Sequence, residues 1–149
     1  KEMLVDREPM TSSYGLKEVA QEDVRTIPLL GSIAAGLPTT AFEMNNSIGL
    51  SFDFFDPSKD IYALEVSGES MTGDHINDRD IVIIKKETRV NDKDIFALRI
   101  DNDEFTLKRI REKKKAIELV PSNPAFPIVK MDPNRLEVVG KCIGLIRKF

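Results

Sequence analysis

The sequence predicts a mostly β domain, a sandwich or partly closed barrel of short strands. Three observations point there. Runs of five to seven residues rich in β-branched and aromatic side chains recur along the chain, separated by clusters of Gly, Pro, Asn, Asp and Ser. No long stretch keeps a 3.6-residue apolar period, and the strand–helix–strand alternation of a parallel sheet is absent. No repeat of 20–50 residues is visible. Many short strands at close spacing are the pattern of an all-β sandwich or barrel.

Residues 1–25 read as a linker or N-terminal arm, with one short helical turn around Leu16–Glu22, because charges alternate with Pro9, Thr11, Ser12, Ser13 and Gly15 without apolar periodicity. The globular domain is expected over residues 26–149. Its strands are expected at Ile61–Val66, Asp80–Lys86, Asp94–Ile100, Glu104–Ile110 and Ala116–Val120. Asp101-Asn102-Asp103 forms a hairpin turn between two of these runs. Leu136–Arg147 supplies one or two further strands around Gly140 or Gly144. Lys113-Lys114-Lys115 falls between two strands and reads as a solvated loop.

Composition excludes several functions. The 149 residues carry 22 Lys+Arg against 25 Asp+Glu, a net charge of -3, so this piece lacks the basic excess of a dedicated DNA binder. One cysteine allows no internal disulfide and fits a reducing compartment. The single histidine, His75, has no neighbours at metal-ligand spacing and reads as a surface turn residue, while Cys142 reads as a small buried hydrophobe. No metal and no cofactor is expected. No apolar run approaches the ~20 residues that span a bilayer, and a cytoplasmic location is expected. The chain begins at Lys1, which suggests a fragment of a longer protein.

Three motifs carry candidate chemistry. In Val66-Ser67-Gly68-Glu69-Ser70-Met71 a strand ends in a glycine turn that presents Ser70, a nucleophile only if a base takes its proton. In Glu104-Phe105-Thr106-Leu107-Lys108-Arg109-Ile110, period-2 alternation puts Thr106, Lys108 and Ile110 on one face. A free lysine, with a pKa of about 10.4, is a poor base at neutral pH. Burial favours the neutral amine and would make Lys108 a competent one. In Gly31-Ser32-Ile33-Ala34-Ala35-Gly36-Leu37-Pro38 a strand runs into small residues able to enter a narrow cleft. Taken singly, each motif has a plainer reading: a turn serine, a lysine snorkelling from a half-exposed strand, an ordinary turn.

Taken together, the motifs resemble the self-cleaving C-terminal domain of the LexA and lambda-type phage repressors, a family of Ser-Lys autopeptidases that includes UmuD. The resemblance rests on IPLLGSIAAGLP, VSGESM, EFTLKRI and the closing VVGKCIGLIR, in that order, over about residues 26–147. Ile76-Asn77-Asp78-Arg79-Asp80 stands where the family often has a Gly-Asp pair, with Arg79 in place of the glycine, and Leu119-Val120-Pro121-Ser122-Asn123-Pro124 resembles another family stretch. The resemblance implies a LexA-like β-sandwich or partly closed barrel. It implies Ser70 as nucleophile, Lys108 as general base and Ala35–Gly36 as the scissile bond, with the Ser70 and Met71 backbone N–H groups as the candidate oxyanion donors. It further implies homodimerisation through C-terminal strands, with Val138, Val139, Ile143, Leu145 and Ile146 near the interface. A RecA–single-stranded-DNA filament would be the trigger in the SOS response to DNA damage. Operator DNA would be bound by an N-terminal domain absent from this chain.

Within that resemblance, Ala35–Gly36 matches the repressors, whereas UmuD proteins usually cut at Cys-Gly. A UmuD-like accessory subunit of a translesion polymerase is the alternative, as is a non-cleaving dimerisation domain. Residues 1–25 lack the ending expected after LexA's winged helix, which tilts toward a phage-type linker, but the core motifs fit LexA and prophage repressors equally. A signal peptidase with similar chemistry would need a membrane anchor.

Overall fold

A computed structural model describes residues 24–34, 37–38, 46–51, 56, 60–102 and 104–149. Its strands are β1 (Val24–Ala34), β2 (Leu37–Pro38), β3 (Asn46–Ser51), β4 (Ile61–Ser67), β5 (Ile81–Lys85), β6 (Phe96–Ile100), β7 (Glu104–Glu112), β8 (Ile117–Val120), β9 (Val129–Met131) and β10 (Leu136–Ile146). Two single 3-10 turns, Thr72–Asp74 and Pro133–Arg135, complete the described elements. The mostly β class expected from the sequence is the one found. The strands form one open, mixed path, β3-β1-β4-β5-β10-β6-β7-β8-β9, with the two-residue β2 paired to β7. The expected helical turn at Leu16–Glu22 lies outside the described residues, as does Asp103.

Period-2 alternation explains why the central strands form. In β4, Ile61 and Ala63 enter one buried cluster, while Leu64 and Val66 enter another on the opposite face. In β5, Ile83 sits with the first cluster, and Val82 and Ile84 with the second. Both strands are therefore apolar on both faces, as central strands must be. A third cluster gathers Phe96, Leu98, Ile100, Ile110, Leu119 and Met131 from β6 to β9. Each fully buried side chain of this size contributes about 1.5–3 kcal/mol of apolar transfer free energy, so the chain holds its core without cross-links.

The closing segment is one strand rather than two. β10 pairs with β6 through its first half and with β5 through its second. Its register shifts between Val138 and Gly140 and again between Cys142 and Gly144. These bulges let one strand serve all three clusters: Val138 faces the third, Val139 and Cys142 the second, Ile143 and Ile146 the first. Gly140 fits the first bulge because a Cβ there would lie 2.6 Å from the Lys85 carbonyl oxygen. β3 and β9 escape sequence reading because they are edge strands with only two large apolar residues each, Ile48 and Leu50 in β3 and Val129 and Met131 in β9. β1 and β4 run parallel, and their crossover passes through the edge strand β3.

The β6–β7 turn is where the sequence places it. Asp101 and Asn102 have φ of 51° and 64°, the left-handed region these two residue types tolerate. Arg79 also has positive φ, at 72°, without that tolerance. Its backbone N–H donates to the Val66 carbonyl at 2.7 Å, so the turn is pinned in this conformation. Arg79→Gly is therefore expected to raise stability by about 0.5–1 kcal/mol, the relieved strain being partly offset by unfolded-state entropy. Urea unfolding checks this, and an unchanged or lower midpoint would refute the strain argument.

Candidate active site

The chain leaves β4 at Ser67 and returns at Asp80. The base of this excursion is closed by Val66 N–H donating to the Asp80 carbonyl and Arg79 N–H donating to the Val66 carbonyl, both at 2.7 Å. Inside it, Gly68 N–H donates to Asp78 Oδ1 at 2.8 Å. Asp80 itself is 2% exposed. It accepts two hydrogen bonds from Arg147 at 2.7 Å and one from Asn77 N–H at 2.7 Å, which hold its carboxyl below the usual range. The excursion is thus a cross-braced turn, and its inner corner carries Ser70.

Ser70 is 5% exposed. Its carbonyl accepts backbone N–H bonds from Ser122 and Asn123 at 3.0 and 3.1 Å. Asn123 Nδ2 donates to the Glu69 carbonyl at 2.9 Å. Gly73 lies so close to this second loop that a Cβ would sit 1.9 Å from the Ser122 carbonyl oxygen, so only glycine fits there. The Pro121–Asn123 stretch, singled out in the sequence only as a family phrase, therefore buttresses the Ser70 turn.

β7 brings Lys108 to this corner. Its Nζ lies 2.9 Å from Ser70 Oγ, 2.7 Å from Thr106 Oγ1 and 3.0 Å from the Leu107 carbonyl oxygen. Lys108 is 8% exposed and Thr106 4%. Burial pushes the Lys108 amine down to about 8, with the Glu104 carboxylate opposing the shift. Three partners match a neutral amine well. Two N–H bonds donate to Thr106 and Leu107, and the lone pair is left to accept from the Ser70 hydroxyl. Sequence alternation placed Thr106 on the Lys108 face but did not reveal that it holds the amine.

A groove of about 340 Å³ adjoins the amine along the same face of β7. Its walls are largely apolar, with Ile100, Leu119, Phe126, Val129 and Met131, and Glu104 and Arg135 also line it. Such a groove suits an extended peptide better than a small polar metabolite. Among the described residues no group of three or more His, Cys, Asp and Glu side chains could hold a metal ion.

The sequence profile of the peptidase S24-like family matches residues 28–143. The chain belongs to that family. A LexA repressor of Koribacter versatilis is 37% identical over 123 residues, which cover 83% of this chain and 58% of that relative. The chain thus spans little more than half the length of that repressor. Membership places the chain in a peptidase family.

For this peptidase S24-like chain, the other residues singled out in the sequence fall as follows. Ala35 and Gly36 lie outside the described residues. Their described neighbours do not: Ala34 pairs with Ser67 at the end of β4, and Leu37 pairs with Phe105 on β7. Of the expected interface residues, Val138, Val139, Ile143 and Ile146 are partly buried against the chain's own core, and Leu145 is 39% exposed. Cys142 is partly buried, and burial raises its thiol pKa. His75 is exposed at the end of the Thr72–Asp74 turn. No helix among the described residues is long and apolar enough to cross a membrane.

Proposed function

We propose that this chain is the self-cleaving and dimerising C-terminal domain of a transcriptional repressor, and that it cuts its own Ala35–Gly36 bond through Ser70 and Lys108. The observation that carries the reading is the buried 2.9 Å contact between Lys108 Nζ and Ser70 Oγ. Neutral Lys108 takes the Ser70 proton as Oγ attacks the Ala35 carbonyl carbon. The Ser70 and Met71 backbone N–H groups are the proposed donors to the resulting oxyanion. The C–N bond then breaks, and charged Lys108 returns its proton to the departing Gly36 amine. Water hydrolyses the acyl-serine with Lys108 again as base. The anchoring of Ala34 beside Ser67 and Leu37 beside Phe105 supports delivery of the intervening bond to this site.

The likeness to a LexA repressor favours a repressor over a polymerase accessory subunit. In this reading a RecA–single-stranded-DNA filament triggers cleavage by favouring the conformation with the bond in the site, as part of an SOS response. Operator DNA is bound by a separate N-terminal domain. The edge of β10 beyond Cys142, whose N–H still donates to the Ile95 carbonyl, joins two copies around exposed Leu145.

Intact mass after incubation tests the cut. The expected products are 1–35 and 36–149, formed slowly alone and faster with the filament. A cut elsewhere, or an intact chain under all conditions including high pH, would overturn the reading in favour of a non-cleaving dimerisation domain.

A further inference from the structure

The Ser70–Lys108 contact has a weakness at the moment it is needed. A charged amine holds a hydroxyl by a charge-assisted bond roughly twice as strong as a neutral one. The reactive amine is the neutral one, so the attraction that sets the Oγ–Nζ distance is weakest in the reactive state. A contact that keeps its charge can hold the Ser70 turn against β7 when Lys108 has lost its proton.

The neighbouring residue supplies one. Arg109 Nε donates to Asp74 Oδ2 at 3.1 Å and Arg109 Nη2 to Asp74 Oδ1 at 2.7 Å, a two-pronged ion pair. Arg109 Nη1 also donates to the Lys93 carbonyl, which ties the guanidinium to the loop before β6. Asp74 ends the 3-10 turn that begins two residues after Ser70. Its N–H donates to Ser122 Oγ at 3.0 Å and to the Met71 carbonyl at 3.1 Å. Consecutive residues of β7 thus grip the two ends of one turn, Lys108 at Ser70 and Arg109 at Asp74. Side-chain exposures of 31% and 23% leave the pair only partly solvated, and fork geometry adds directional stiffness that a point charge lacks.

We propose that the Arg109–Asp74 pair is a positioning strut that keeps Ser70 Oγ at reacting distance from Lys108 in its neutral state. The inference rests on the Ser70–Lys108 reading above. The strut keeps its charges throughout the range in which Lys108 titrates. Arg109 holds the Asp74 carboxyl below its ordinary range, and Asp74, with Asp94 beyond it, holds the guanidinium above its own. Among the described residues the other groups acting on Asp74 are Ser122 and His75, and the carboxylate acting on Lys108 is that of Glu104. A strut that does not titrate there affects the maximal rate and leaves the midpoint of the pH profile in place.

Self-cleavage rates of the unchanged chain, Arg109→Gln, Arg109→Lys and Asp74→Asn are to be measured by intact mass from pH 6 to 10.5, with melting temperatures alongside. Labelling of Ser70 by a fluorophosphonate probe gives a second readout that does not require the cleavage segment. The expected result is a high-pH plateau lowered by about ten- to a hundredfold in Arg109→Gln and Asp74→Asn, with the midpoint unchanged and a partial recovery in Arg109→Lys. A profile that slides along the pH axis at full plateau would overturn the strut in favour of simple charge tuning. Rates equal to the unchanged chain would also overturn it. If Arg109→Gln does not fold, the near-isosteric Asp74→Asn decides. An unchanged chain that neither cleaves nor labels overturns the proposed function itself, and the inference with it, whereas a reactive chain with unaffected variants overturns the inference alone.

Discussion

Ser70→Ala is expected to abolish self-cleavage, lowering the rate by at least about 10³-fold, while the fold survives. The substitution removes one oxygen from a buried turn whose backbone is held elsewhere, by the Ser122 and Asn123 N–H groups on the Ser70 carbonyl. The Lys108 amine loses one of its three partners and keeps Thr106 and the Leu107 carbonyl. The stability loss should therefore stay near the ~1 kcal/mol of a single hydrogen bond. Intact mass over time reads the cleavage, and a thermal melt reads the fold. Undiminished cleavage in this variant would move the nucleophile to another residue and end the assignment.

The second large effect is the pH dependence of the rate. A general base works only when neutral, and burial pushes Lys108 down to about 8. Below that value the neutral fraction falls about tenfold per pH unit. The rate should accordingly rise about tenfold from pH 7 to pH 9 and level off above it. A lysine with an ordinary pKa of about 10.4 would give a rate still climbing at pH 10. Initial rates across that range separate the two. An inflection near 10.4 would mean that Lys108 is solvated in the reacting state, and a flat profile would remove it as the base.

Much of the architecture was legible before any coordinates. The runs at Ile61–Val66, Asp94–Ile100, Glu104–Ile110 and Ala116–Val120 became β4, β6, β7 and β8 within a residue or two, because central strands buried on both faces are dense in β-branched and aromatic side chains. β3 and β9 carried no such signal, since an edge strand buries little and needs little apolar patterning. β1 starts at Val24, and the residues before it lie outside the described residues. The bulges in β10 were invisible for a different reason: a register shift depends on what the partner strands present, and Gly140 and Gly144 alone left open whether the segment is one strand or two.

The candidate site divides along the same line. Sequence alone determined the residue types, Ser70 after a glycine turn and Lys108 mid-strand beside Thr106 on one face, because turn chemistry and side-chain alternation are local properties. Tertiary structure alone decided that Ser70 and Lys108, 38 positions apart, meet at 2.9 Å, and that Arg109 reaches Asp74 across 35 positions. It also decided the depressed pKa of Lys108. Desolvation is set by what surrounds a group, and the walls around this amine join residues of β7 to others from β6, β8, β9 and the Phe126 loop that only the folded sheet brings together.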